Sequence, residues 1–141
     1  MADIERPTFY FHFKDKYDLV AWMFYTDAYG TDITSVSYAA AWMIKMKQQI
    51  LFYKRAYEDF SQNALWHYML EYFVRRYTEL VKEKLGTDYL DTQLAYSIRF
   101  YCMGAVGITQ EWVLNDNITS AETVVQMMFH SMPKNMQTII F

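Results

Sequence analysis

Cysteine is almost missing from this chain: Cys102 stands alone, so no intrachain disulfide can close. The opening residues "MADIERPTF" carry neither the basic cluster nor the apolar run of a secretory signal. Together these absences imply a reducing, cytoplasmic setting. Only four glycines and two prolines punctuate 141 residues, and no Asn-Gly or Asp-Gly pair separates alternating apolar runs. Hairpins are disfavoured, and an all-α chain is expected. Long hydrophobic runs are lacking too. Stretches such as "LVAWMFY" and "YCMGAVGI" fall far below the ~18 residues of a membrane span, so no membrane partner is expected. Positive charge is scarce: 13 Lys and Arg face 16 Asp and Glu, a formal net charge of -3. That excludes the broad basic surface behind non-specific nucleic-acid affinity, and any DNA contact must be local.

The residues of catalysis and metal binding are equally sparse. His12, His67 and His130 fall in three separate segments, and no His, Cys, Asp or Glu set has a recognisable ligand spacing. Gly-rich phosphate loops, a Ser/His/Asp order and paired carboxylates are missing. No metal, no cofactor and no enzymatic activity are expected. Cys102 has no neighbouring base or run of cations to lower its pKa, so it reads as a small core residue.

What the chain does have is apolar bulk. Hydrophobic residues make up 53% and aromatic residues 19%, with 13 tyrosines and ten methionines. That suffices for one domain with a substantial core. Large rings with a polar tip suit a helical core that holds a partly polar cavity.

Helix signals follow one another along the chain. Pro7 favours a short helix over about Glu5 to His12, and Asp15 caps a second that ends at Gly30. A connection over Thr31 to Val36 leads to a helix from Ser37 to about Gln49, and a shorter one is expected within Ile50 to Phe60. A long helix opens at Ser61 or Asn63 and stops at Gly86, apolar nearly all round from Leu65 to Val74 and amphipathic beyond. The helix over about Tyr89 to Leu114 carries two apolar stripes. Leu90, Leu94, Ile98, Tyr101, Ala105, Ile108 and Trp112 form one; Tyr96, Phe100, Met103 and Gly107 form the other. "TSAE", from Thr119 to Glu122, reads as a capping box for the last helix, which Pro133 ends.

One stretch carries a family resemblance. "TFYFHFKDKYDL" fits the pattern T-[FL]-Y-x-[HY]-F-x-x-K-x-x-L at every fixed position, through Thr8, Phe9, Tyr10, His12, Phe13, Lys16 and Leu19. It resembles the end of the helix-turn-helix of the tetracycline-repressor (TetR/AcrR) family of transcriptional regulators. The preceding "ADIER" is similar to that family's A-G-[IV]-x-x turn, with Asp3 in place of glycine. A second likeness runs through "FYCMGAVGITQEWVLNDNITSAETVVQMM", an aromatic and small-residue pattern followed by Trp, a short acidic turn and a final helix. Among subgroups, "TFYFHFKDKYDLVAWMFY" looks nearest to regulators associated with dihydroxyacetone-kinase operons.

The resemblance implies a helical ligand-binding and dimerisation body behind a DNA-reading head. Residues 1–15 would be a remnant of that head, residues 16–30 a connecting helix, and residues 31–141 the body. Thr8, Tyr10, His12 and Lys16 would contact phosphate, while Arg6 and Phe11 would face base edges. Two further helices normally pack behind such a recognition helix. The chain is therefore expected to lack the first two helices of the head and not to bind operator DNA specifically as it stands.

For the body, Trp42, Met46, Tyr53, Tyr57 and Trp66, with Met69, Tyr72, Phe73 and Tyr101, can line a cavity. Such stripes are as readily plain core; the resemblance makes them an effector pocket, with apolar walls, tyrosine hydroxyls and a volume of ~300 Å³ or more. A small apolar or aromatic effector is implied. His67, in the apolar "WHYML", is either a satisfied or solvated histidine or a polar anchor in that pocket. A homodimer is expected through the last two long helices, where Gly104, Ala105 and Gly107 allow close approach and Ile108, Trp112, Val125 and Met128 supply apolar contact. A helical interaction module that binds a partner protein, in place of a small molecule, is the alternative.

Overall fold

The computed structural model describes residues 32–56, 62–116 and 118–141, with side chains described at 32–48, 66–116 and 118–141. Among these residues the chain forms five helices and no strand: α1 (Val36–Ala56), α2 (Gln62–Leu85), α3 (Thr92–Asn115), α4 (Ala121–His130) and α5 (Lys134–Ile140). The all-α expectation holds. The expected helices around Glu5 to His12 and Lys16 to Tyr29 lie outside the described residues.

Each boundary has a local cause. Ahead of α1, Thr34 donates from both its backbone N–H and its hydroxyl to Asp32 Oδ1, at 2.9 and 2.6 Å. These two bonds hold the Asp32 carboxyl below its usual range. Helix α1 then runs unbroken to Ala56, where a break near Ile50 was expected. No proline or glycine lies between Val36 and Ala56, so nothing stops it. Helix α2 ends in a Schellman turn: Gly86 N–H donates to Glu83 O and Thr87 N–H to Lys82 O, both at 3.2 Å. Gly86 sits at φ +67°, where a side chain would be strained.

Asp91 caps α3 by accepting from Leu94 N–H at 2.8 Å. Ser120, not Thr119, caps α4, accepting from Thr123 N–H at 3.1 Å. Helix α4 was expected to be last and to end at Pro133. It stops at His130, and Pro133 instead opens the additional helix α5, its carbonyl accepting from Met136 and Gln137 N–H. Proline's fixed φ and missing N–H suit the entry of a helix as well as the region beyond an exit. Gln137 turns its side-chain amide back on Met132 O at 2.7 Å, which docks α5 under the end of α4.

The core has two adjoining parts. One joins α1, the start of α2, the end of α3 and α4, through residues such as Trp42, Met46, Trp66, Trp112 and Val125. The other joins the second half of α2, the start of α3 and α5, through Tyr77, Val81, Ile98, Tyr101 and Met136. Helix α3 serves both, and its buried face is wider than the expected stripe. Leu94, Ile98, Tyr101 and Trp112 are buried as expected and Leu90 and Ala105 partly so, but Cys102, Val106, Thr109 and Val113 are buried beside them, while Ile108 is exposed. Helix α3 packs against α1, α2 and α5, and cover on several sides buries more than one stripe.

Candidate functional site

Where the two core parts meet, α1, α2, α3 and α4 enclose a cavity of about 60 Å³. Helix α1 contributes Ala39, Trp42 and Met43, each a turn or less apart. Helix α2 brings Met69, Phe73 and Tyr77, four residues apart and so on one line of the helix. Helix α3 supplies Tyr101, Cys102, Ala105, Val106 and Thr109 from its buried face. Helix α4 closes the space with Val125, Met128 and Phe129, and Ile33 reaches in from before α1.

Among the described residues no charged side chain lines this space. Trp42 and Phe73 meet edge to face at 5.4 Å, as do Tyr77 and Tyr101. The Tyr77 hydroxyl donates to the Ile33 carbonyl at 3.3 Å, tying α2 to the segment before α1. Burial pushes the Tyr77 phenol well above its ordinary pKa, and the adjacent Tyr101 adds to it. Burial raises Tyr101 and the Cys102 thiol to about 12 each. All three are neutral at any physiological pH. Thr109 is 3% exposed. Among the described residues its hydroxyl meets only the Met128 thioether, at 4.0 Å, a weak acceptor.

Of the residues expected at a pocket, Trp42, Met69, Phe73 and Tyr101 line the cavity. Met46 and Trp66 are buried in the first core part without reaching it. Tyr72 is half-buried and turned aside, its hydroxyl accepting from Arg76 Nη1 at 2.7 Å. His67 is exposed. The side chain of Tyr53 and the whole of Tyr57 lie outside the described residues. The expected volume was ~300 Å³ or more, and the cavity is far smaller because the rings and methionine chains of α1 and α2 extend into the space between the helices. Tyr77, Cys102 and Thr109 were not expected here. Their signal was available: Tyr77 is four residues beyond Phe73, and Cys102 and Thr109 lie seven apart on the true buried face of α3.

Residues expected at a dimer seam divide. Trp112 is buried in the protomer, its Nε1 donating to Thr119 O at 2.8 Å, with Lys47 Nζ 4.3 Å above the ring. Val125 is fully buried, while Ala105 and Met128 border the cavity. Gly104, Gly107 and Ile108 lie on the outer face of α3, which also bears Tyr96 at 72% and Phe100 at 76% exposure. Arg6, Thr8, Tyr10, Phe11, His12 and Lys16 lie outside the described residues.

All of the lining except Ile33 falls inside the segment that decides the family: residues 39–134 match the model of a TetR-type transcriptional regulator C-terminal region. The chain belongs to the TetR family of transcriptional regulators. No curated protein and no solved structure matches it. In this TetR-family body the matched segment spans α1 through the first residue of α5, and so includes every helix that borders the cavity. Among the described residues, no group of three His, Cys, Asp or Glu could hold a metal ion, and no helix is long and apolar enough to cross a membrane.

Proposed function

We propose that this chain regulates transcription as an effector-controlled homodimer, with residues 31–141 as the sensing and dimerisation body and residues 1–30 as the link to DNA. The observation that carries the reading is a cavity at the junction of two core parts, so that filling it alters the packing of four helices together. A ligand that prefers one packing shifts the balance between two arrangements of the body and, through the residues before it, of the DNA-contacting segment. Where a complete reading head is present, the family resemblance would have Arg6 and Phe11 read base edges, while Thr8, Tyr10, His12 and Lys16 hold phosphate. The likeness of "TFYFHFKDKYDLVAWMFY" to regulators associated with dihydroxyacetone-kinase operons supports the same subgroup for this chain.

The outer face of α3 supports the dimer. Tyr96, Phe100, Met103 and Ile108 are exposed on it. A Cβ built on Gly104 or Gly107 would meet nothing within 4 Å of its own chain. A second copy related by a two-fold axis would cover this face with its own equivalent, giving a four-helix seam.

Transcript profiling tests the function in its natural setting. Deleting the gene should change transcription from a small set of promoters, and the intact gene should restore it. A copy carrying Arg6→Ala or Lys16→Ala should not restore it, since base and phosphate contacts each cost about 1–3 kcal/mol or more when lost from a small reading element. Unchanged transcripts on deletion, or full restoration by both variants, would sink the proposal.

A further inference from the structure

The geometry points to a small, uncharged effector, no larger than a single ring, with an apolar body and one hydroxyl or carbonyl group that bonds to the Thr109 hydroxyl. This inference rests on the sensing role proposed above and names the class of molecule sensed.

Three observations converge on it. Among the described residues the lining carries no ionisable group that is charged at neutral pH, so a carboxylate, phosphate or ammonium would enter with no partner there for its charge. A volume of about 60 Å³ is a few times the ~10–15 Å³ that one water needs, and a multi-ring ligand would need wholesale repacking. Growth to the size of one ring needs only side-chain rotation, because Met43, Met69 and Met128 border the space and methionine changes rotamer at little cost.

The polar end of the ligand is placed by elimination among the lining hydroxyls. Tyr77 already donates to the Ile33 carbonyl, and the Tyr101 hydroxyl is hydrogen-bonded with that of Tyr77. Thr109 is the buried polar residue among the described ones, and its hydroxyl is satisfied only by a thioether at 4.0 Å. A threonine in a helix ordinarily donates to the carbonyl four residues before it. Thr109 makes no such bond here, and a ligand hydroxyl or carbonyl is a much better partner than sulfur. Met128, the present partner, belongs to α4, so a ligand that takes its place loosens a contact between α3 and α4. Binding and the packing change are thus the same event.

The test uses four ring-sized probes on the full chain, followed by ligand-observed NMR titration: phenol, cyclohexanone, toluene and benzoate. Phenol and cyclohexanone should each bind roughly five- to tenfold more tightly than toluene, and benzoate should be the weakest. Thr109→Val should bring phenol down to the toluene level while toluene binding is unchanged, and Thr109→Ser, which keeps the hydroxyl, should retain the preference. The inference is overturned if benzoate binds as well as phenol, if Thr109→Val keeps the phenol preference, if Thr109→Ser loses it, or if no probe binds at millimolar concentration. None of these outcomes touches the regulatory reading, which stands or falls on the transcript measurement.

Discussion

Cys102 shows how burial silences a reactive side chain. Its thiol lines the cavity yet is fully buried, and its pKa is raised from 9.0 to about 12 by loss of solvation, against a smaller lowering from Arg99. Only the thiolate attacks an alkylating reagent. At pH 8 the native chain should therefore react with iodoacetamide roughly a thousandfold more slowly than the urea-unfolded chain, a difference read directly by mass spectrometry. Equal rates would mean that the core around Cys102 opens freely, and the cavity would then be no closed feature. The same reading at Lys47 has an opposite character: its ammonium donates to the Trp112 carbonyl, at 3.3 Å, and to the Asp116 carbonyl. A cation at the C-terminal end of α3 complements the helix dipole and its last free carbonyls.

Helix α3 decides most of the architecture because it is used on opposite sides. Its inner face, through Ile98, Cys102 and Thr109, belongs to the protomer; its outer face, through Tyr96, Phe100 and Met103, is left to water in a single chain. Gly104→Leu and Gly107→Leu separate the two roles, since a Cβ at either position meets nothing within 4 Å. In a monomer each change should be harmless or stabilising, because leucine is a better helix former than glycine by about 0.5–1 kcal/mol. In a dimer each should overfill the seam at a cost of roughly 1–3 kcal/mol per site. Sedimentation should show the double variant shifted toward monomer, with its helical circular dichroism retained. A wild-type chain that sediments as a monomer at micromolar concentration would remove the dimer altogether.

At the scale of the whole molecule, three neutral acids buried side by side make stability sensitive to alkali. Tyr77, Tyr101 and Cys102 ionise at ordinary values of 10.0, 10.0 and 9.0 when unfolded, but Tyr101 and Cys102 only near 12, and Tyr77 higher than usual, when folded. Between those limits the unfolded chain binds fewer protons than the folded one, so stability falls as pH rises. It is fully present below about pH 9 and is lost progressively from there toward 12. Urea midpoints measured from pH 8 to 11 should decline. The decline should be shallower in Tyr101→Phe, which removes one of the three groups. A flat profile would contradict the burial on which the cavity rests.

The helical class, the Gly86 stop and the long α2 were legible from local pattern, because propensity, capping and punctuation are properties of neighbouring residues. So was the existence of two apolar faces on α3. Which residues each face holds was not, because only packing against the neighbouring helices decides how wide the buried face of α3 is. The aromatic set from Trp42 to Tyr101 had the right chemistry for a cavity. Its division between lining, plain core and surface depended on how far each helix is rotated about its axis, a quantity that no single segment contains. Thr109 is the plainest case: an unremarkable threonine in sequence, it acquires its meaning only when α4 sets a methionine sulfur, and nothing better, against its hydroxyl.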